Sequence, residues 1–220
     1  MGDYHYMMKF IIVGDVSVGK TCILQRFETD TFSFTNPPTM GVEFVRKQIN
    51  IDNQQIMVQI WDTSGEERMF ALASQYYKSS CGVILVFDVT RKETFDHLKF
   101  WIQKINDNAN QKCLKMLVGN KVDMEFQRVI RKDEAEAFAK ANNMVYVETS
   151  AKTAKNVYES FNNLALNVFN QIKSGSLPVD EDGVYGVKRG RLAPGPIGSS
   201  FQLNNQMAQQ DSAPAKKKCC

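Results

Sequence analysis

A chain of 220 residues with 43% hydrophobic content has room for one sizeable core and an appendage. Its formal charge is only +3, and no basic stripe interleaves with aromatics, so nucleic acid is not expected as a partner. The five cysteines (Cys22, Cys81, Cys113, Cys219, Cys220) show neither C-x-x-C nor Cys/His spacing, which excludes an evident zinc site or disulfide framework and suggests a cytosolic redox setting. No apolar run approaches the roughly 18 residues of a membrane span. The N-terminus lacks a basic region followed by an apolar core, and Tyr6 stands where a myristoylation signal on Gly2 would carry Ser or Thr.

In chain order, Met7 to Val13 reads as a buried strand and Lys20 to Glu28 as a helix. Between them lies Gly14-Asp15-Val16-Ser17-Val18-Gly19-Lys20-Thr21, which fits G-x-x-x-x-G-K-[ST], the phosphate-binding P-loop. Glycines there let backbone N–H groups turn toward phosphate oxygens, and the helix N-terminus faces the anion. Lys20 places a compact positive charge on the outer phosphates, and the Thr21 hydroxyl is a hard ligand for Mg²⁺. Phe32 to Thr39 is a Pro-containing loop that cannot be helical throughout. Val42 to Ile51 and Gln54 to Trp61 form a hairpin about Asp52-Asn53. Directly after it, Asp62-Thr63-Ser64-Gly65 offers a carboxylate for the Mg²⁺ shell and a Gly65 N–H for a terminal phosphate oxygen.

Val83 to Val89 is a continuous apolar run of the parallel-sheet kind. A helix over Glu93 to Asn106, a strand over Leu114 to Val118, a short helix over Asp133 to Ala141 and a strand over Met144 to Val147 follow. Asn156 and Glu159 have the spacing of an N-cap with its reciprocal Glu, opening a last helix with Val157, Phe161, Leu164, Val168 and Ile172 on one face. The alternation predicts an α/β fold: a doubly wound, mostly parallel six-stranded sheet with one antiparallel edge strand and helices on both faces. Ligand groups at the ends of the first, third, fifth and sixth strands then gather along one rim. The domain is expected over residues 1–173. Residues 174–220 hold four of the six prolines and only two aromatics, and read as a disordered tail reaching about 40 Å root-mean-square.

Asn120-Lys121-Val122-Asp123 narrows the nucleotide. An Asp carboxylate accepts from N1–H and N2–H₂ of guanine; adenine offers no such pair, and an unpartnered carboxylate is costly. The backbone of Ser150-Ala151-Lys152 is placed to approach guanine O6. Cys22, next to Thr21, joins the binding residues; like Cys81 and Cys113 it also reads as a small core side chain. His5 and His97 have no ligand or nucleophile partners nearby in sequence, and His97 reads as a solvated surface residue.

On these motifs residues 7–172 resemble the Ras superfamily of small GTPases, and most the Rab branch, a likeness that Cys219-Cys220 extends to the end of the chain. The resemblance implies a P-loop G domain that binds GTP or GDP with Mg²⁺. Thr39, eighteen residues after Thr21, matches the threonine that joins Thr21 and Asp62 at the metal when the γ-phosphate is present. Phe32 matches the aromatic that packs across guanine, and Gly65 the γ-phosphate sensor. Phe44, Trp61 and Tyr76 match the aromatic triad shown to effectors. Cys219 and Cys220, after Lys216-Lys217-Lys218, match a doubly prenylated end. The implied partners are an exchange factor, a GTPase-activating protein, a GDP-dissociation inhibitor and effectors. The implied place is the cytoplasmic face of an intracellular membrane, cycling with cytosol, in vesicle-mediated protein transport.

Three positions depart from the family pattern, two of them (Glu66 and Val16) at the hydrolytic machinery, in which Lys20 and the residue after D-x-x-G take part. That residue is Gln in the family and Glu66 here; the third P-loop position, usually Gly or Ser, is Val16, and the fourth, commonly Gly, is Ser17. The reading is a GTP hydrolase with slow intrinsic turnover. One alternative is a GTP-locked binding module; a P-loop nucleoside kinase or ATPase is the other, and would lack the Asn120/Asp123 pair.

Overall fold

A computed structural model describes residues 3–65, 76–180 and 182–193. The elements are β1 (Tyr6–Val13), α1 (Lys20–Thr29), β2 (Val42–Ile51), β3 (Gln54–Thr63), β4 (Gly82–Asp88), α2 (Lys92–Asp96), α3 (Leu98–Asn108), β5 (Leu114–Asn120), a 3₁₀ segment (Val122–Gln127), α4 (Lys132–Ala141), β6 (Val145–Glu148), α5 (Val157–Lys173) and β7 (Val187–Arg189). The sheet runs β2-β3-β1-β4-β5-β6, parallel except at β2–β3. The hairpin between β2 and β3 turns where expected, with Asp52 and Asn53 both at positive φ (49° and 61°), as a tight two-residue turn requires.

The twofold alternation of β1 divides two cores. Met8, Phe10 and Ile12 join the layer of α1 and α5, where Phe27, Phe161 and Phe169 are buried. Ile11 and Val13 join the opposite layer with Leu98, Trp101 and Ala135 of α3 and α4. Every residue of β4 is buried, as its unbroken apolar run predicts.

Two local expectations change. The helix expected over 93–106 is two, α2 and α3, joined at His97 (φ −72°, ψ −11°), whose N–H still bonds Glu93 O. Asn156 does precede α5, but its backbone is left-handed and its side chain makes no cap; Nδ2 instead donates to Glu148 O at 2.8 Å, pinning the end of β6.

The third difference is larger. Residues 176–180 and 182–193, expected as coil, return to the sheet and core. Leu177 and Val187 are fully buried in the α1/α5 core. β7 runs antiparallel to β1 with Tyr6↔Arg189 and Met8↔Val187, and Lys9 N–H donates to Gly186 O at 2.7 Å. Gly190 N–H then bonds His5 O and Leu192 N–H bonds Tyr4 O. The cause is an unfilled slot: β4 begins at Gly82 opposite Phe10, leaving one flank of Tyr6–Met8 without a ladder partner. Backbone groups so placed need one. Gly186, at φ 79°, enters the slot where any Cβ would collide with the Ser80–Cys81 backbone. The sheet therefore has a seventh strand. Residues 194–220, with Cys219 and Cys220, lie outside the described residues. No helix among the described residues is long and apolar enough to cross a membrane.

Candidate functional site

The P-loop joins β1 to α1 at the C-terminal end of the parallel strands. Gly14 (φ 134°) passes so close to Val86 O that a Cβ would collide with it. Gly19 is the N-cap of α1, so the helix opens at Lys20. Lys20 is 6% exposed and its Nζ donates to Gly14 O (2.8 Å) and Asp15 O (2.9 Å). Burial lowers its pKa to about 8 against the opposing pull of Asp62 and Asp15. A buried ammonium whose hydrogen-bond partners among the described residues are two carbonyls is a strong site for an anion. Gly65 lies against Lys20 Nζ, with no room for a side chain between them. Val18 is buried, whereas Val16 is 46% exposed beside the cleft.

That cleft, about 180 Å³, is lined by P-loop residues and Cys22 on one side and by Asn36, Pro37, Pro38 and Thr39 on the other. Cys22 is thus a wall residue, half-buried and packed against the α1/α5 core behind it; its Sγ accepts from Asn36 Nδ2 at 3.3 Å. Thr21 Oγ1 lies 2.8 Å from Thr39 Oγ1 and donates to Asp62 Oδ2 at 2.5 Å, and Thr39 Oγ1 reaches the same oxygen at 3.4 Å. Asp62 is 3% exposed, and its Oδ1 has no hydrogen-bond partner among the described residues. Burial raises its pKa, offset in part by Thr21 and Lys20. Two hydroxyls and a carboxylate with an unused buried oxygen are a hard-oxygen donor set that fits Mg²⁺ completed by phosphate and water oxygens. No cluster of three or more His, Cys, Asp or Glu competes with it among the described residues.

The base-recognition segments meet the P-loop directly. Asn120, 1% exposed, donates from Nδ2 to Val18 O (2.9 Å) and accepts from Thr149 Oγ1 (3.1 Å) and Ala151 N–H (3.4 Å). It is thereby a brace between three loops. Lys121 Nζ donates to Ser17 O (2.9 Å) and pairs with Asp88 at 2.7 Å. Asp123 is exposed; Ser150 Oγ donates to its Oδ1 at 2.6 Å, which aims the carboxylate and leaves acceptor capacity outward. Phe32 packs edge-on to Phe34 at 4.8 Å, and Lys152 Nζ lies 5.6 Å over the Phe34 ring.

Sequence reasoning missed two supports. Arg26 of α1 donates from Nε to Ala151 O (2.9 Å) and from Nη2 to Lys152 O (3.1 Å), fixing the loop after β6. Asp88 balances Lys121; its signal was a carboxylate at the end of a wholly apolar strand. His97, expected as a solvated surface residue, is half exposed, but its Nδ1 lies 3.3 Å from the Asp15 carboxylate oxygens.

Phe44, Trp61 and Tyr76 do come together, away from the cleft, with ring centroids 5.0 and 4.5 Å apart. The register Phe44↔Trp61 makes the first pair a cross-strand neighbour. Lys9 Nζ lies 5.2 Å over Trp61 and 5.3 Å over Tyr76 and donates to Ser79 Oγ; burial lowers its pKa. Glu66 lies outside the described residues. The family model described as Ras family matches residues 9–170.

Proposed function

The chain belongs to the Ras family of small GTPases, and we propose that it serves as a membrane-anchored, Rab-type guanine-nucleotide switch of vesicle traffic. Its GTP-bound form would recruit effectors through Phe44, Trp61 and Tyr76. The observation that carries the guanine reading is the brace of Asn120 between Val18, Thr149 and Ala151, with Asp123 aimed by Ser150. The clustered aromatic triad, with Phe44 exposed and Trp61 and Tyr76 half-buried, supports the Rab-type reading.

In the mechanism we propose, P-loop N–H groups and Lys20 hold the phosphates, while Asp123 accepts from the guanine edge. Thr21, Thr39 and Asp62 would hold Mg²⁺, which when bound spreads the charge of the phosphate oxygens. Thr39 reports the γ-phosphate because its loop reaches Thr21 and Asp62 only across the cleft. Hydrolysis in this class is mostly positioning and electrostatics. Glu66 can only accept hydrogen bonds when ionised and adds negative charge near the phosphates, and Val16 fills space beside them, so intrinsic turnover is slow. Prenyl groups on Cys219 and Cys220, with Lys216–Lys218 beside them, would supply the stable two-chain anchor. Exchange factor, activating protein and GDP-dissociation inhibitor are the regulators such a cycle requires.

Competition binding tests the nucleotide reading: GTP and GDP displace a fluorescent GDP and ATP does not, whereas equal displacement by ATP refutes it. Mass spectrometry of native protein tests the anchor, and two free C-terminal thiols on a fully soluble protein refute it. The second reading, a GTP-locked binding module, is favoured by Glu66 and Val16 together; no detectable single-turnover hydrolysis would select it.

A further inference from the structure

We infer that Trp101 and His97 are positioning residues of the phosphate site, holding the first turn of the P-loop through the side chain of Asp15. Asp15 is restrained twice. Its carbonyl accepts from Lys20 Nζ at 2.9 Å. Its carboxylate, only 13% exposed, accepts from Trp101 Nε1 at 2.7 Å through Oδ1, and His97 Nδ1 lies 3.3 Å from both oxygens. These are partners from α3 and the α2–α3 junction, more than eighty residues away in the chain.

The anchoring end is rigid. Trp101 is 3% exposed and belongs to the core layer that includes Ile11, Val13, Leu98 and Ile105, so its N–H cannot follow a moving loop. Its neighbour Phe100 packs edge-on against it at 5.4 Å. Holding side chain and carbonyl of one residue fixes the peptide planes on either side of it, and the N–H groups that follow are those that turn toward phosphate. The bond also keeps the Asp15 carboxylate directed at α3. Freed, that charge could swing toward the cleft, where it would repel a bound phosphate. The junction of α2 and α3 places the His97 imidazole at the same carboxylate. The arrangement rests on the P-loop binding guanine nucleotide.

The test is release of N-methylanthraniloyl-GDP from the full chain with Mg²⁺ present, measured for Trp101→Phe, Asp15→Ala, Asp15→Asn and the double variant Trp101→Phe/Asp15→Ala. Trp101→Phe keeps an aromatic ring and loses the donor, and release speeds up about tenfold, as loss of a hydrogen bond to a charged group implies. Asp15→Ala shows a similar increase. The double variant releases no faster than either single one, because both remove the same bond. Asp15→Asn, which leaves an acceptor for the indole N–H, stays within about threefold of wild type. Core loosening by Trp101→Phe would instead multiply with Asp15→Ala to about a hundredfold, and that result overturns the inference. Equal release by Asp15→Ala and Asp15→Asn overturns it too, and needs no substitution in the core. A wild type that does not bind the probe fails the guanine reading itself.

Discussion

The two ends of the sheet are built on opposite principles. At the rim formed by the C-terminal ends of β1, β3, β5 and the segment after β6, short contiguous motifs leave backbone and side-chain groups open for a ligand. Among the described residues Asp62 Oδ1 is without a partner there, and the buried Lys20 ammonium donates only to the Gly14 and Asp15 carbonyls. At the other end the same sheet leaves a flank of β1 open, and the chain closes it itself with β7, Val187 and Leu177. One end keeps its unmet polar groups for binding; the other meets them for stability. Changes at the rim are therefore expected to alter nucleotide handling, and changes around β7 to alter unfolding.

The largest effect is expected at the base site. Asp123→Asn removes the paired acceptor for guanine, so GTP affinity falls by about 10⁴-fold and preference moves to xanthosine nucleotides, while the unfolding midpoint stays put. Retained GTP affinity in a titration would break the assignment of the rim as the ligand end.

The β7 end comes next. Deleting residues 174–220 removes two buried aliphatic side chains and the partner of β1, costing about 3–5 kcal/mol in urea unfolding. Deleting only 194–220 keeps β7 and its buried side chains and costs less than the longer deletion. Gly186→Ala reproduces part of the loss, because its Cβ meets the Ser80–Cys81 backbone. Nucleotide affinity of the shorter deletion equals that of the full chain; equal stability of the two deletions would mean that β7 contributes nothing.

Turnover is a smaller, rim-only effect. Glu66→Gln with Val16→Ser is expected to raise single-turnover hydrolysis about tenfold, roughly 1.4 kcal/mol of transition-state stabilisation, without changing stability. No rise in either single or double variant removes the link between these residues and slow turnover.

The smallest effect is a pH dependence at the β7 end. Burial pushes Cys113 up to about 12 and Cys81 well above its ordinary value. Above pH 9 the unfolded chain loses these protons before the native one does. Stability present below pH 9 is therefore lost as pH rises. Replacing both by Ala should flatten that part of the alkaline unfolding curve. At pH 8 a thiol reagent should label Cys22 of the wild type well before either buried cysteine.

What the sequence by itself determined is contiguous chemistry. The P-loop, the D-x-x-G turn, the Asn-Lys-x-Asp segment and the apolar runs beside them are local, since a strand, its loop and the helix N-terminus that follows are read within a dozen residues. The gathering of those motifs along one rim followed from that alternation, and the place of Thr39 beside Thr21 and Asp62 from the family resemblance. Only the tertiary structure decided the rest. β7 forms because β4 starts late relative to β1, a register fact that no composition of the last residues carries. Asn156 leaves its own helix because Glu148 O needs a donor at the end of β6. Arg26, Asp88 and Trp101 become part of the site through partners from about 30 to more than 120 residues away. Unmet hydrogen-bonding groups, satisfied by whichever segment the fold brings near, are what a linear reading leaves open.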